Sequence, residues 1–180
     1  MRDFCPSPKL YTSIYKNARR RAVSDSARVV GKKRAVRIVY LDGEMGEATR
    51  YFQEVGVHAN MLEPINKSRD ACLSIHHQTG VTATRGDITS VLKAKRKGAR
   101  VVWMDMEQNS LTQEDLRVCL QSADAVHCDL TCRARDPMDV IDEHIRLFEA
   151  CGIKRSTIEW GRYAGRTGKS MVYLACHPGA

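Results

Sequence analysis

The sequence has no apolar run near the ~18 residues that a membrane span requires, few aromatic residues (6%), and only five prolines in 180 residues. These shortages exclude a bundle of membrane-spanning helices and a polyproline or collagen-like rod. Cysteine is present but in the wrong arrangement for a scaffold. Seven residues, at 5, 72, 119, 128, 132, 151 and 176, make an odd number without a paired CxxC spacing, which argues against a zinc ribbon or a disulfide framework and for reduced, packed thiols. Cys128 and Cys132 lie beside His127 on a strand-to-loop segment that would not aim all three at one ion, so no metal is expected. His76 and His77 are neighbours in a helical pattern and point ~100° apart, which suits a surface. The first residues, with Asp3, Pro6 and Pro8, lack the apolar core of a signal peptide, so an intracellular protein with no membrane partner is expected.

What the chain does have is 43% apolar content, enough for one domain with a real core. Its net charge of +8 is unevenly placed. Residues 1–37 carry eleven Lys and Arg against two acids, or +9, which leaves −1 for the remainder. The expected organisation is a basic arm over residues 1–34 and a nearly neutral body over residues 35–180. Arg19, Arg20, Arg21, Lys32, Lys33 and Arg34 are the candidates for meeting a nucleic-acid backbone, because each neutralised phosphate releases counterions. The same composition suits a solubilising or targeting tail.

From Val36 onward, apolar runs alternate with helical patterns, the signature of an α/β fold with a mainly parallel sheet. Strands are expected at Val36–Leu41, His58–Leu62, Val81–Thr84, Arg100–Met104 and Ala125–Leu130. Helix signals fall between them: Ser68 and Thr112 as caps, Asp136-Pro137 as a start, and Gly98 and Gly152 as stops. Ile153–Tyr163 and Lys169–Cys176 flank a short Gly-containing loop and must form an antiparallel hairpin. The turn after the first strand, Asp42-Gly43-Glu44-Met45-Gly46-Glu47, is acidic. Glycines there allow close approach of a ligand, yet the acids would repel a pyrophosphate that the helix N-terminus alone would favour. The ligand should be cationic or uncharged at that point. Glu63, 21 positions after Asp42, is expected to end the second strand, where a carboxylate can accept from ribose hydroxyls.

With the ordered acids Asp42, Glu63, Asp87 and Asp105 and the closing hairpin, the chain from about Val36 to Cys176 resembles a minimal class I S-adenosylmethionine-dependent methyltransferase. The resemblance implies a seven-stranded mixed sheet, parallel except for an antiparallel C-terminal hairpin strand, with helices on both faces. It implies S-adenosylmethionine as cofactor, with Asp42, Gly43, Glu44 and Gly46 around its methionine part. Glu63 would then hold the ribose, Ile65 would pack on the adenine, and Asp87 and the Ile88 amide would meet the ring. Asp105 would stand beside the methyl group as the catalytic residue. The segment Asp105-Met106-Glu107-Gln108 lacks the prolines of base-amino methyltransferases and looks closer to ribose 2′-O-methyltransferases, which implies RNA, or another nucleic acid, as acceptor. Those enzymes use a Lys-Asp-Lys-Glu set. Lys16 or Lys32 could stand for the first lysine, but Asp129 occupies the second lysine's position and Met171 lies near that of the glutamate. A noncatalytic nucleic-acid-binding or assembly protein on the same fold, within a homo-oligomer or larger complex, is the alternative expectation.

Overall fold

A computed structural model describes residues 2–3, 12–32, 35–94, 99–106, 111–164 and 170–178. A short strand β1 (Arg2–Asp3) is followed by the long helix α1 (Thr12–Gly31), and the alternation then runs β2 (Val36–Leu41), α2 (Glu47–Glu54), β3 (Leu62–Asn66), α3 (Arg69–Thr79), β4 (Thr84–Arg85) and α4 (Ile88–Ala94). It continues with β5 (Ala99–Met106), α5 (Gln113–Ser122), β6 (Ala125–Thr131), α6 (Pro137–Ala150), β7 (Glu159–Ala164) and β8 (Ser170–Cys176). One sheet holds all the strands in the order β1-β7-β8-β6-β5-β2-β3-β4. Every neighbouring pair is parallel except those made by β8, which runs against both β6 and β7. The expected mixed sheet is therefore present, with an added two-residue edge strand from the N-terminus.

The elements form where local chemistry directs them. Ser68, Thr112 and Asp136 cap α3, α5 and α6, each accepting from a backbone amide two or three residues on, and Pro137 occupies the first turn of α6, where its missing amide costs nothing. The β-branched and aromatic run of β2 is buried on both faces, as a central parallel strand must be. On one face, Val39, Ile65, Val102, Met104 and Val172 pack against α4, α5 and α6. On the other, Ile38, Tyr40, Val101 and Trp103 pack against α2 and, through Val23 and Ala27, against α1. Phe52 of α2 meets Tyr40 and Trp103 edge-on, with centroids 5.0 and 6.0 Å away. The cysteines among these residues are free; Cys119, Cys128, Cys132 and Cys176 are buried, and burial pushes the Cys119 thiol up to about 12 and that of Cys128 well above its ordinary value.

Two expected strands are corrected, and much of the basic arm is helical. Residues 12–31, counted with the basic arm, form a helix whose inward face is part of the core, because Val23, Ala27 and their apolar neighbours have sheet surface to cover. The second strand of the alternation begins at Leu62 after a single 3-10 turn at Ala59–Met61, so Glu63 stands near its start. The next strand shrinks to Thr84–Arg85. Pro64, which has no amide to donate, precedes that pairing, which starts only at Ile65↔Thr84.

Gly161 of β7 faces the ring of Tyr173 on β8, and a Cβ there would lie 2.7 Å from the ring. The Arg19 guanidinium, 3.9 Å from the ring centre, limits how far that ring can move away. Gly161→Ala is expected to lower the unfolding free energy by about 1–3 kcal/mol, measured by denaturant titration with an unchanged slope.

Candidate functional site

The ends of the parallel strands meet along one edge of the sheet. The Asp42 amide donates to the Ile65 carbonyl at 3.2 Å, the Gly86 amide donates to the Asn66 carbonyl at 3.0 Å, and Asn66 Nδ2 donates to the Asp42 carbonyl at 2.7 Å. Asp105, half-buried, ends the neighbouring strand in register with Asp129. The turns after β2, β3 and β4 and the end of β5 therefore form one continuous rim, the position where open α/β sheets bind ligands.

The acidic turn is built by its own first carboxylate. Buried Asp42 accepts from the Ala48 and Thr49 amides at 3.3 and 3.0 Å and from Thr49 Oγ1 at 2.6 Å. It thus caps α2 from upstream, since Gly46 has no side chain to do so. Gly46 adopts φ +59°, and a Cβ there would meet Thr79 Cγ2 at 2.9 Å, so both conformation and space demand glycine. Gly43 and Glu44 are left exposed at the tip, and space is open beside the Gly43 Cα. A ligand can approach the main chain there.

The other predicted cofactor residues separate into rim and interior. Asp87 is on the rim, but its carboxylate caps α4, accepting from the Ser90 amide at 2.9 Å, Thr89 Oγ1 at 2.7 Å and Ser90 Oγ at 2.9 Å. These donors hold it well below the usual carboxylate range. Ile88 and Ile65 are buried core residues of the face covered by α4, α5 and α6. Glu63 is paired with Val39, three positions before the strand's end, and its buried carboxylate lies 3.6 Å from Arg37. Asn66 ends the strand, and its amide is already committed, since Oδ1 accepts from the Ser68 amide at 2.8 Å. The sequence signal for Asn66 was its place two residues before the helix cap Ser68.

Of the predicted phosphate-binding cations, Arg19 and Arg20 are turned inward. Arg21 is exposed and lies 3.4 Å from Asp25, Lys32 is exposed, and Lys33 and Arg34 fall outside the described residues. Arg19 donates from Nε to Asp129 Oδ1 at 3.0 Å, and its guanidinium lies 3.9 Å from the centre of the Tyr173 ring. Asp129, completely buried, also accepts from Trp103 Nε1 and, at 3.3 Å, from the Tyr163 hydroxyl. His127 lies one pleat away, its Nε2 3.0 Å from Ser26 Oγ of α1. Burial, then the Arg19 charge, hold the His127 ring well below its usual value and therefore neutral. Burial, then the Asp129 and Asp105 charges, push the Tyr163 phenol up, keeping it protonated. Sequence reasoning missed this network because its members come from α1, β5, β6, β7 and β8. Only the polar residues inside the apolar strand Ala125–Leu130 gave a hint.

Two outcomes follow from this electrostatics. Asp129→Ala strands a buried guanidinium and is expected to cost about 3–5 kcal/mol, while Arg19→Met costs less in an Asp129→Asn background than alone, measured as a double-mutant cycle in urea. His127 and the equally buried His144 both have folded values below 6.5, so the unfolded chain binds more protons. Their stability contribution is complete above about pH 6.5 and is lost as pH falls through the folded values, with a slope of up to about 1.4 kcal/mol per pH unit for each histidine. In His144→Leu that slope should be roughly halved.

No family model and no curated protein sequence matches the chain. Solved structures do. The O-methyltransferase from Bacillus cereus in complex with S-adenosylhomocysteine superposes with a TM-score of 0.61 at 10% identity, over 97% of this chain and 92% of that one. A SAM-dependent methyltransferase from Archaeoglobus fulgidus gives 0.61 at 10% identity, over 93% and 99%. The O-methyltransferase TomG from Streptomyces achromogenes, in complex with SAM, gives 0.58 at 14% identity, over 89% and 79%. Together with the sheet order and the single reversed strand, these likenesses establish that the chain has the fold of the class I S-adenosylmethionine-dependent methyltransferases.

Proposed function

We propose that this protein transfers a methyl group from S-adenosylmethionine. The observation that carries the reading is the rim itself: an acidic, glycine-opened turn at Asp42–Gly46 set on the same strand edge as Asp105. A sulfonium and an ammonium are attracted where a pyrophosphate would be repelled. Gly43 and Glu44 would receive the amino-acid end, and the rim between Asn66 and Asp87 would receive the adenosine. When bound, the cofactor supplies an electrophilic methyl group. The protein's contribution is chiefly alignment of the acceptor with that methyl, with Asp105 placed to orient the acceptor or take its proton. The cofactors bound to the Bacillus and Streptomyces enzymes support the same assignment.

For the acceptor, the proposal remains a nucleic acid, RNA first. Its support is the exposed Arg21 and Arg28 of α1 with Lys32 just after it, which belong to the +9 segment of residues 1–37; the inward-turned Arg19 and Arg20 of that segment are not part of the support. A noncatalytic role on the same fold is favoured by one observation, the commitment of Glu63, Asn66 and Asp87 to internal bonds.

Calorimetric titration with S-adenosylhomocysteine separates the two, with micromolar binding expected. Asp105→Asn should reduce methyl transfer to RNA at low salt by about a hundredfold with affinity nearly unchanged. Glu63→Ala should leave affinity within about twofold while lowering stability, because it removes a buried partner of Arg37 rather than a ribose contact. Absence of binding by the folded wild type would establish the noncatalytic reading.

A further inference from the structure

Arg20 is the second buried arginine of α1, 8% exposed, and its pairing is incomplete. Nη1 donates to Asn17 Oδ1 at 3.1 Å, and Nη2 lies 3.7 Å from a carboxylate oxygen of Glu47, whose side chain is 47% exposed. Nε is buried without a hydrogen-bond partner among the described residues, as is Ser24 Oγ one turn further along the same inward face. The guanidinium also stands 5.8 Å from the Tyr51 ring centre. Both Glu47 and Tyr51 belong to α2, so Arg20 reaches from α1 to the start of the helix that follows the acidic turn.

That corner has an unusual charge arrangement. Asp42, Glu44 and Glu47 crowd the turn, and Asp42 has already taken the Ala48 and Thr49 amides. The beginning of α2 therefore has fewer amides to offer a ligand anion, and the acids would repel one. A zwitterionic ligand places an ammonium and a carboxylate a few ångströms apart. The turn suits the first group, and an incompletely bonded, desolvated guanidinium suits the second.

We propose that Arg20 binds the α-carboxylate of the cofactor's amino-acid end and so makes the site selective for ligands that carry it. This rests on the methyltransferase reading above. Arg20 is thus a binding residue delivered by the helix that the sequence assigned to a phosphate-seeking arm.

The test compares two ligands by calorimetry: S-adenosylhomocysteine and its decarboxylated analogue, which keeps the adenosine, thioether and ammonium. The wild type should prefer the carboxylate form by about tenfold to a hundredfold. Arg20→Gln should abolish that preference while binding the decarboxylated ligand within about threefold of wild type, which also reports an intact fold. Arg20→Lys should keep part of the preference, since it retains the charge without the planar fork. Equal affinities in the wild type would overturn the proposal without recourse to any variant. An unchanged preference in Arg20→Gln, or a parallel loss of both ligands, would overturn it and leave methyl transfer standing. Failure of the folded wild type to bind either ligand would overturn both.

Discussion

The carboxylate of Asp129 ties together elements that the chain alone would leave separate. It is fully buried in β6, yet it gathers donors from α1 through Arg19, from β5 through Trp103 and from β7 through Tyr163. A lone charge in that position would carry a desolvation penalty of several kcal/mol. The penalty is offset only when the guanidinium and both hydrogen-bond donors are in place, so α1 must close over the sheet in one register. The apolar contacts of Val23 and Ala27 supply non-directional adhesion, and the ion pair supplies direction. Tyr173 extends the arrangement: its ring is held between the Arg19 guanidinium and the bare backbone of Gly161. One interaction thus fixes the roof helix, the reversed strand β8 and the penultimate strand β7.

This arrangement changes how the charge of the chain is read. Counted along the sequence, residues 1–37 look like an electrostatic tail. Counted in space, Arg19 faces Asp129, Arg20 faces the start of α2, Arg28 bonds the Val55 carbonyl and Asp25, and Arg37 faces Glu63. Much of the arm's positive charge is matched within the domain. Interactions of the exposed pairs are weak and screened by salt; those of the buried Arg19 are neither.

The fold was legible where local chemistry and global structure agree. The runs Val36–Leu41 and Ala125–Leu130 could only be buried strands, Asp136-Pro137 could only start a helix, and the last two strands with their short loop could only reverse. The rim was legible at Asp42 and Asp105, which lie immediately after or at the end of strong strands. It was misread at Glu63 because Leu62-Glu63-Pro64-Ile65-Asn66 is too short and too mixed to show where a strand begins, and a three-residue shift moves a side chain about 10 Å along the strand. The burial of Arg19 and Arg20 was hidden by their neighbours. Arg19-Arg20-Arg21 reads as a solvated cluster, yet successive residues on a helix point ~100° apart, so three adjacent arginines must face three directions.

That divergence has a mechanical consequence. Arg19 leaves α1 toward β6 and β8, and Arg20 leaves it toward α2, so the two side chains reach opposite sides of β5, whose end carries Asp105. The first is spent on the fold and the second remains incompletely bonded. Because they are consecutive on one helix, the position of Arg20 against the start of α2 is set by the bond that Arg19 makes with Asp129. Any slip of α1 that relieved the first contact would displace the second by a comparable distance. At its other end Gly31 packs closely on the sheet, where an added Cβ would lie 3.1 Å from the Val36 side chain. The geometry at the rim is therefore maintained from the interior, by a carboxylate on a strand that does not itself contribute to the acidic turn.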